Sequence, residues 1–112
     1  MDQLAEEEIT ASMAAFRKSV TGVDNTIFIA AKFPRHVPCI KVAVDPPTHT
    51  DRFGDNASVA IEDGKILAGE LPPKVHLQVK RFLELNRDTL LAYWEQQIDD
   101  DELRSRLVSI AR

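Results

Sequence analysis

Several features that often reveal a protein's function are scarce in this chain. Cys39 is the single cysteine, which excludes an intramolecular disulfide framework and a zinc site made of cysteines alone. Lys and Arg number 14 against 18 Asp and Glu, giving a net charge of −4, which argues against nucleic-acid binding through bulk positive charge. No apolar run approaches the roughly 20 residues that cross a bilayer, and the acidic N-terminus does not read as a signal peptide. We therefore expect a cytoplasmic location and no contact with a membrane.

What is present is typical of one folded domain. The chain has 112 residues, of which 44% are hydrophobic and 29% are charged. These values are those of a globular protein rather than of a disordered one. Neither an internal repeat nor a low-complexity tract is visible. The sequence therefore predicts a single domain over residues 1–112.

The spacing of the apolar residues predicts three helices. Apolar positions recur every three or four residues in two stretches, and Asp99 with Glu102 forms a capping-box pattern before a third. The predicted helices are an N-terminal helix over 2–20, a long helix over 72–97 and a C-terminal helix over 100–111. Pro72 and Pro73 stand in the first turn of the long helix, where proline is tolerated.

Alternating apolar and polar residues predict the strands. The alternation covers three stretches, and Asp63-Gly64 is a strong signal for a type I′ hairpin that leads into a short return strand. The predicted strands are 26–33, 39–45, 57–62 and 65–68. We therefore expect an α+β fold, in which the long helix packs on an antiparallel sheet of three to four strands, beside the two terminal helices.

Residues 57–96 carry an ordered set of motifs. A strand leads into the acidic-Gly hairpin Asp63-Gly64, then Leu71-Pro72, then a helix that ends in Leu90-Leu91-Ala92-Tyr93-Trp94. This arrangement resembles a bacterial family of small proteins of unknown function. Members of that family usually carry Pro-Pro-His-x-His before the hairpin, where this chain has Val37-Pro38-Cys39-Ile40-Lys41. Because members are often encoded beside another small protein, in settings like toxin–antitoxin pairs, the resemblance implies a protein partner.

The loop over 45–56 is one candidate for chemistry. Asp45, His49, Asp51 and Asp55 lie close together in sequence there, and carboxylates with an imidazole can bind a divalent cation. Their spacing matches no known ligand motif, and Asp is also a common turn residue. A metal-dependent enzyme that uses residues 45–55 is therefore an alternative to a plain polar loop.

The basic segment 32–41 is a second candidate. Lys32, Arg35, His36 and Lys41 occur there without an acidic residue, so the segment is a candidate contact for an anion, a nucleic acid or a partner. A solvated turn is the alternative interpretation. Cys39 beside His36 could form a nucleophilic pair, or Cys39 could be a half-buried strand residue.

The long helix carries more apolar surface than one sheet face needs. Leu77, Leu85 and Leu91 lie off its main apolar arc, and Trp94 lies at the edge, which makes these four residues a candidate interface, for example in a homodimer. Asn86 lies in the middle of the arc and His76 at its edge, so we expect each to form a structural hydrogen bond. Tyr93 is expected in the core.

No complete catalytic constellation is visible, so we assign no catalytic residue, cofactor or metal ligand. The sequence therefore favours a non-enzymatic protein-interaction module that binds a protein partner or a second copy of itself. Two alternatives stay open, namely a nucleic-acid-associated protein that uses the basic segment and a metal-dependent enzyme that uses the 45–55 loop.

Overall fold

The computed structural model describes residues 13–31 and 37–111. It contains, in chain order, β1 (Ala14–Phe16), α1 (Lys18–Thr21), β2 (Ile27–Ile29), β3 (Cys39–Asp45), β4 (Asp55–Ala60), β5 (Ile66–Ala68), α2 (Pro73–Trp94) and α3 (Asp100–Arg106). The predicted α+β class is confirmed. In the described part of the chain, no helix has both the length and the apolar character to cross a membrane.

The five strands form one antiparallel sheet in the order β1-β2-β3-β4-β5, so each strand pairs with its neighbours in sequence. Because side chains alternate along a strand, Ile29, Ile40 and Val59 lie in register on one face. That face and α2 share a single apolar core. The side chains that α2 contributes to this core are Val75, Val79, Phe82, Leu83, Leu90 and Tyr93.

The N-terminal helix predicted over 2–20 is the main correction. Residues 2–12 lie outside the described residues, but Ala14–Phe16 form strand β1, and only Lys18–Thr21 are helical. Phe16 pairs with Ile27 in the sheet and is fully buried. Pairing with the edge of β2 buries Phe16 in the core, which an isolated helix would not do, so tertiary packing overrides local helical spacing. The sheet therefore has one strand more than the predicted maximum.

The β4–β5 hairpin is confirmed, but its turn is not of type I′. That turn needs a positive φ at two successive residues, and only Gly64 has one, at 76°. The Gly64 N–H donates to the Ala60 carbonyl, and the Lys65 N–H donates to the Asp63 carboxylate at 3.0 Å. The Asp63 side chain thus stabilises the turn by an Asx-type bond.

The other predicted elements differ mainly in their ends. Strands β3 and β5 correspond to the predicted strands 39–45 and 65–68. Strands β2 and β4 correspond to the predicted strands 26–33 and 57–62. The long helix, predicted over 72–97, ends at Trp94. The C-terminal helix, predicted over 100–111, ends at Arg106 because Leu107 is extended. Its capping box is confirmed, since the Asp99 carboxylate accepts from the Glu102 N–H at 2.8 Å.

Candidate functional site

The basic segment is only partly within the described residues. Lys32, Arg35 and His36 lie outside them, so their role as a contact for an anion, a nucleic acid or a partner stays a prediction. Lys41 pairs with Phe28 and Ser58, which places it on the sheet face opposite α2, where it is half-buried.

Cys39 starts β3 and is half-buried. It packs against a small apolar cluster that contains Ala30 and Trp94. Burial raises the pKa of the Cys39 thiol, and the nearby Lys41 ammonium opposes that shift only in part. Because the thiolate is the nucleophilic form, these surroundings favour the interpretation of Cys39 as a half-buried strand residue.

His49 organises the loop between β3 and β4, which we call the 46–54 loop. Its Nδ1 accepts a hydrogen bond from the Asp51 N–H at 3.0 Å, and its Nε2 lies 3.1 Å from the Asp55 carbonyl oxygen. Since Nδ1 accepts, the ring proton resides on Nε2 and is donated to that carbonyl. The imidazole lies over the Phe28 ring, with centroids 5.8 Å apart. His49 therefore holds the loop onto the sheet.

The same loop does not assemble the metal centre considered from its sequence. In residues 13–31 and 37–111, no three His, Cys, Asp or Glu side chains come together as metal ligands. The Asp51 carboxylate accepts from the Phe53 N–H at 2.9 Å, and both ring nitrogens of His49 contact backbone groups. A cation that binds through a His49 ring nitrogen would have to break one of the histidine's bonds.

Phe53 lies in this loop and is 73% exposed, more than any other large apolar side chain in the described part of the chain. The Arg52 guanidinium lies 5.3 Å from its ring centroid, within cation–π range. The Arg52 carbonyl accepts from the Asn56 side chain at 3.1 Å, and the Gly54 N–H donates to the Asp51 carbonyl at 2.9 Å. The loop thus presents an aromatic ring and a guanidinium on an internally bonded backbone.

The sequence interpretation missed Phe53. One signal was available, because Phe53 is the only aromatic residue in a stretch that is otherwise prolines, threonines, aspartates and other polar or small residues. An aromatic side chain in such a loop is either folded inward or displayed. Sequence alone did not distinguish these outcomes, and the structure places the ring outward.

Residues 46–95 match a known family. Its description is a domain of unknown function (DUF4160). The matched segment contains the 46–54 loop, the β4–β5 hairpin and α2, so the predicted resemblance to a family of unknown function is confirmed for that part of the chain. No curated protein and no solved structure matches the chain.

Within the matched segment, α2 displays part of the predicted interface. Leu77 is 68% exposed and Leu85 is 38% exposed on the side of α2 away from the core. Leu91 is half-buried and packs against the main core. Trp94 is only 2% exposed and packs with Ala30, so its prediction as a surface contact does not fit its burial.

Asn86, which is buried, and His76, which is half-buried, both make structural hydrogen bonds, as expected. The Asn86 side-chain amide donates to the Phe82 and Val108 carbonyls, both at 2.9 Å, and its oxygen accepts from the Val108 N–H at 2.7 Å. The His76 Nε2 lies 2.8 Å from the Gly64 carbonyl oxygen. These bonds join α2 to the C-terminal segment and to the hairpin.

Tyr93 belongs to the core, as predicted. Its hydroxyl donates to the Asp100 carboxylate at 2.6 Å. Burial, followed by the hydrogen bond to Asp100 and its charge, raises the pKa of Tyr93 well above the usual range. The phenol therefore stays protonated and acts as a donor that ties α2 to the start of α3.

Proposed function

We propose that this protein is a non-enzymatic module that binds another protein. The observation that carries the proposal is the display of Phe53 and Arg52 on the 46–54 loop. A solvent-exposed phenylalanine ring gains free energy when a partner removes it from water. Aromatic and arginine side chains are also enriched at the centres of protein interfaces.

The bonding within the loop supports this role. Association costs free energy whenever side chains or loops must be ordered. The His49 ring, the Asp51 carboxylate and the Asn56 amide already bond the loop backbone in the free chain. A partner that binds Phe53 therefore meets a loop whose backbone is largely fixed.

The exposed leucines of α2 offer a second contact region. Leu77 and Leu85 are eight residues apart, which corresponds to about 12 Å along a helix, and both are more than a third exposed. The partner we favour is a different protein, and the resemblance suggests the product of an adjacent gene as the first one to test. A second copy of this chain is the other outcome that the experiment distinguishes.

Site-specific photocrosslinking in cells tests the proposal. A benzophenone amino acid replaces Phe53 in one variant and Lys65 in the control. Phe53 precedes β4 and Lys65 follows it, so the two probes lie at opposite ends of that strand. We expect position 53, but not position 65, to crosslink to one protein, which mass spectrometry then identifies as this chain or another.

Affinity measurements with the identified protein complete the test. Phe53→Ala is expected to weaken binding at least tenfold, about 1.4 kcal/mol or more, as for an aromatic hot spot. The free energy of unfolding should stay within about 0.5 kcal/mol because the side chain is exposed. Equal crosslinking from both positions, or an unchanged affinity in Phe53→Ala, would refute the proposal.

A further inference from the structure

A second surface feature, which Phe53 does not line, is independent of the proposed function. It is an open cavity of about 490 Å³, which we call the basic cavity. Its lining residues are Arg17, Lys18, Ser19, Asp24, Thr26 and Thr48. They come from the start of α1, from the segment before β2 and from the 46–54 loop, which are distant in sequence and meet only in the fold.

The segments that line the basic cavity are held by hydrogen bonds. The Thr26 N–H donates to the Pro47 carbonyl at 2.9 Å, which joins the start of β2 to the loop beside Thr48. The Asp24 N–H donates to the Gln78 side chain at 3.1 Å, which joins the same segment to α2. The backbone around the cavity is therefore held in place before a ligand binds, which lowers the ordering cost of binding.

The charge in the basic cavity is positive on balance. Both oxygens of the Asp24 carboxylate are engaged, one by Lys18 at 3.0 Å and the other by Lys74 at 3.6 Å and Gln78 at 3.3 Å. Arg17 forms no ion pair with the described acidic residues and is exposed. The Asp24 carboxylate is thus shared by the two ammonium groups, and it does not neutralise the charge of the Arg17 guanidinium.

We propose that the basic cavity binds a small anion that carries a phosphate group. The Arg17 guanidinium supplies charge and a fork of N–H donors that matches phosphate oxygens. The hydroxyls of Ser19, Thr26 and Thr48 supply neutral donors around the same space. Lys18, which also pairs with Asp24, adds a second positive charge to the lining.

The composition of the basic cavity favours phosphate over carboxylate. A phosphate monoester carries between one and two negative charges and three acceptor oxygens, which suits a guanidinium together with three hydroxyls. A carboxylate has one charge and two oxygens and would leave donors unused. The volume falls within the usual range for small-molecule sites, roughly 300–1,000 Å³, whereas the net charge of −4 opposes a long polyanion.

Titration followed by amide NMR tests this inference. Inorganic phosphate, glycerol phosphate and acetate are added separately to the full chain at constant ionic strength. We expect saturable shifts with the two phosphates at the amides of Ser19, Thr26 and Thr48. Tighter binding of glycerol phosphate than of inorganic phosphate indicates a phosphorylated metabolite, while the reverse order indicates free phosphate, and both orders support the shared chemistry.

Two variants connect the shifts to the basic cavity. Arg17→Ala is expected to weaken phosphate binding about tenfold, as for loss of a charge-assisted donor, and Thr48→Val by a smaller factor. Arg81→Ala is the control, because Arg81 is also an exposed cation but lies on α2 outside the cavity. Absence of localised shifts, equal weakening by Arg81→Ala, or acetate binding as tight as phosphate binding would each overturn the inference.

Discussion

Asn86 connects the long helix to the C-terminal segment, and its replacement by alanine tests that connection. The side chain is 1% exposed and makes three hydrogen bonds, one within α2 and two to Val108. The Ile110 N–H adds a bond to the Thr21 carbonyl at 2.9 Å. Residues 107–110 are therefore attached through α2 and α1 rather than through a helix of their own.

The expected loss follows from these bonds. Each hydrogen bond contributes about 1 kcal/mol net, so three bonds give about 3 kcal/mol. That is a large share of the roughly 5–15 kcal/mol that stabilises a typical domain. For a chain of this length it corresponds to a fall of about 10–15 °C in the melting temperature.

Urea unfolding, hydrogen exchange and a double-variant cycle measure the effect. Asn86→Ala should lower the free energy of unfolding by about 3 kcal/mol and speed amide exchange at Val108. In a chain that ends at Arg106, the same substitution should cost only about 1 kcal/mol, because only the bond to Phe82 remains to be lost.

Asn25→Ala is the matched control. Asn25 is also buried, but within the described residues its side chain makes one hydrogen bond, donated to the Ala43 carbonyl at 2.8 Å. Its replacement should cost about 1 kcal/mol and leave exchange at Val108 unchanged. The reasoning would be refuted if Asn86→Ala cost no more than Asn25→Ala, or if it cost the same with and without residues 107–112.

Three further outcomes are expected. Gly22→Ala should be more destabilising than Gly64→Ala. Both glycines have positive φ, so alanine strains the backbone at either position. A Cβ at Gly22 would also approach Ser109, Ile110 and Ala111 within 2.9 Å, whereas a Cβ at Gly64 would meet only a lysine side chain. Equal losses in urea unfolding would contradict this contact. Cys39 should react with iodoacetamide more slowly than a cysteine in a short peptide at the same pH, because burial raises the pKa of its thiol. Equal rates would contradict the burial of the thiol. Lys18 lowers the pKa of Asp24, so Asp24→Asn should reduce stability at neutral pH, and the difference from the wild type should shrink as the pH falls below about 4. A constant difference down to acid pH would count against that ion pair.

Sequence patterns predicted the elements that are stabilised by interactions between neighbouring residues. The capping box at Asp99 and Glu102 satisfies backbone groups within one turn, so its sequence pattern was sufficient. The β4–β5 hairpin was recognisable from Asp63-Gly64, but the predicted turn type was wrong. Only the glycine adopts a positive φ, and the Asp63 carboxylate accepts a hydrogen bond from the Lys65 N–H. The arc of α2 likewise predicted its buried face and the structural role of Asn86.

Long-range pairing decided the features that sequence reasoning missed. Apolar spacing predicted a helix that would include Phe16, yet the open edge of β2 draws Ala14–Phe16 into the sheet. The surface around Phe53 and the basic cavity also depend on contacts between distant parts of the chain. The loop that displays Phe53 is held by His49, whose ring lies near Phe28. Arg17 and Thr48 line one cavity because the Thr26 N–H, at the start of β2, bonds to the loop.

The sequence by itself determined an α+β fold with one long helix and a hairpin, because helical periodicity, capping and turn residues act over a few neighbouring residues. Only the tertiary structure decided which side chains are displayed and which are enclosed. Trp94 became core and Phe53 became surface because burial depends on what packs from distant parts of the chain, and the spacing along one segment does not contain that information.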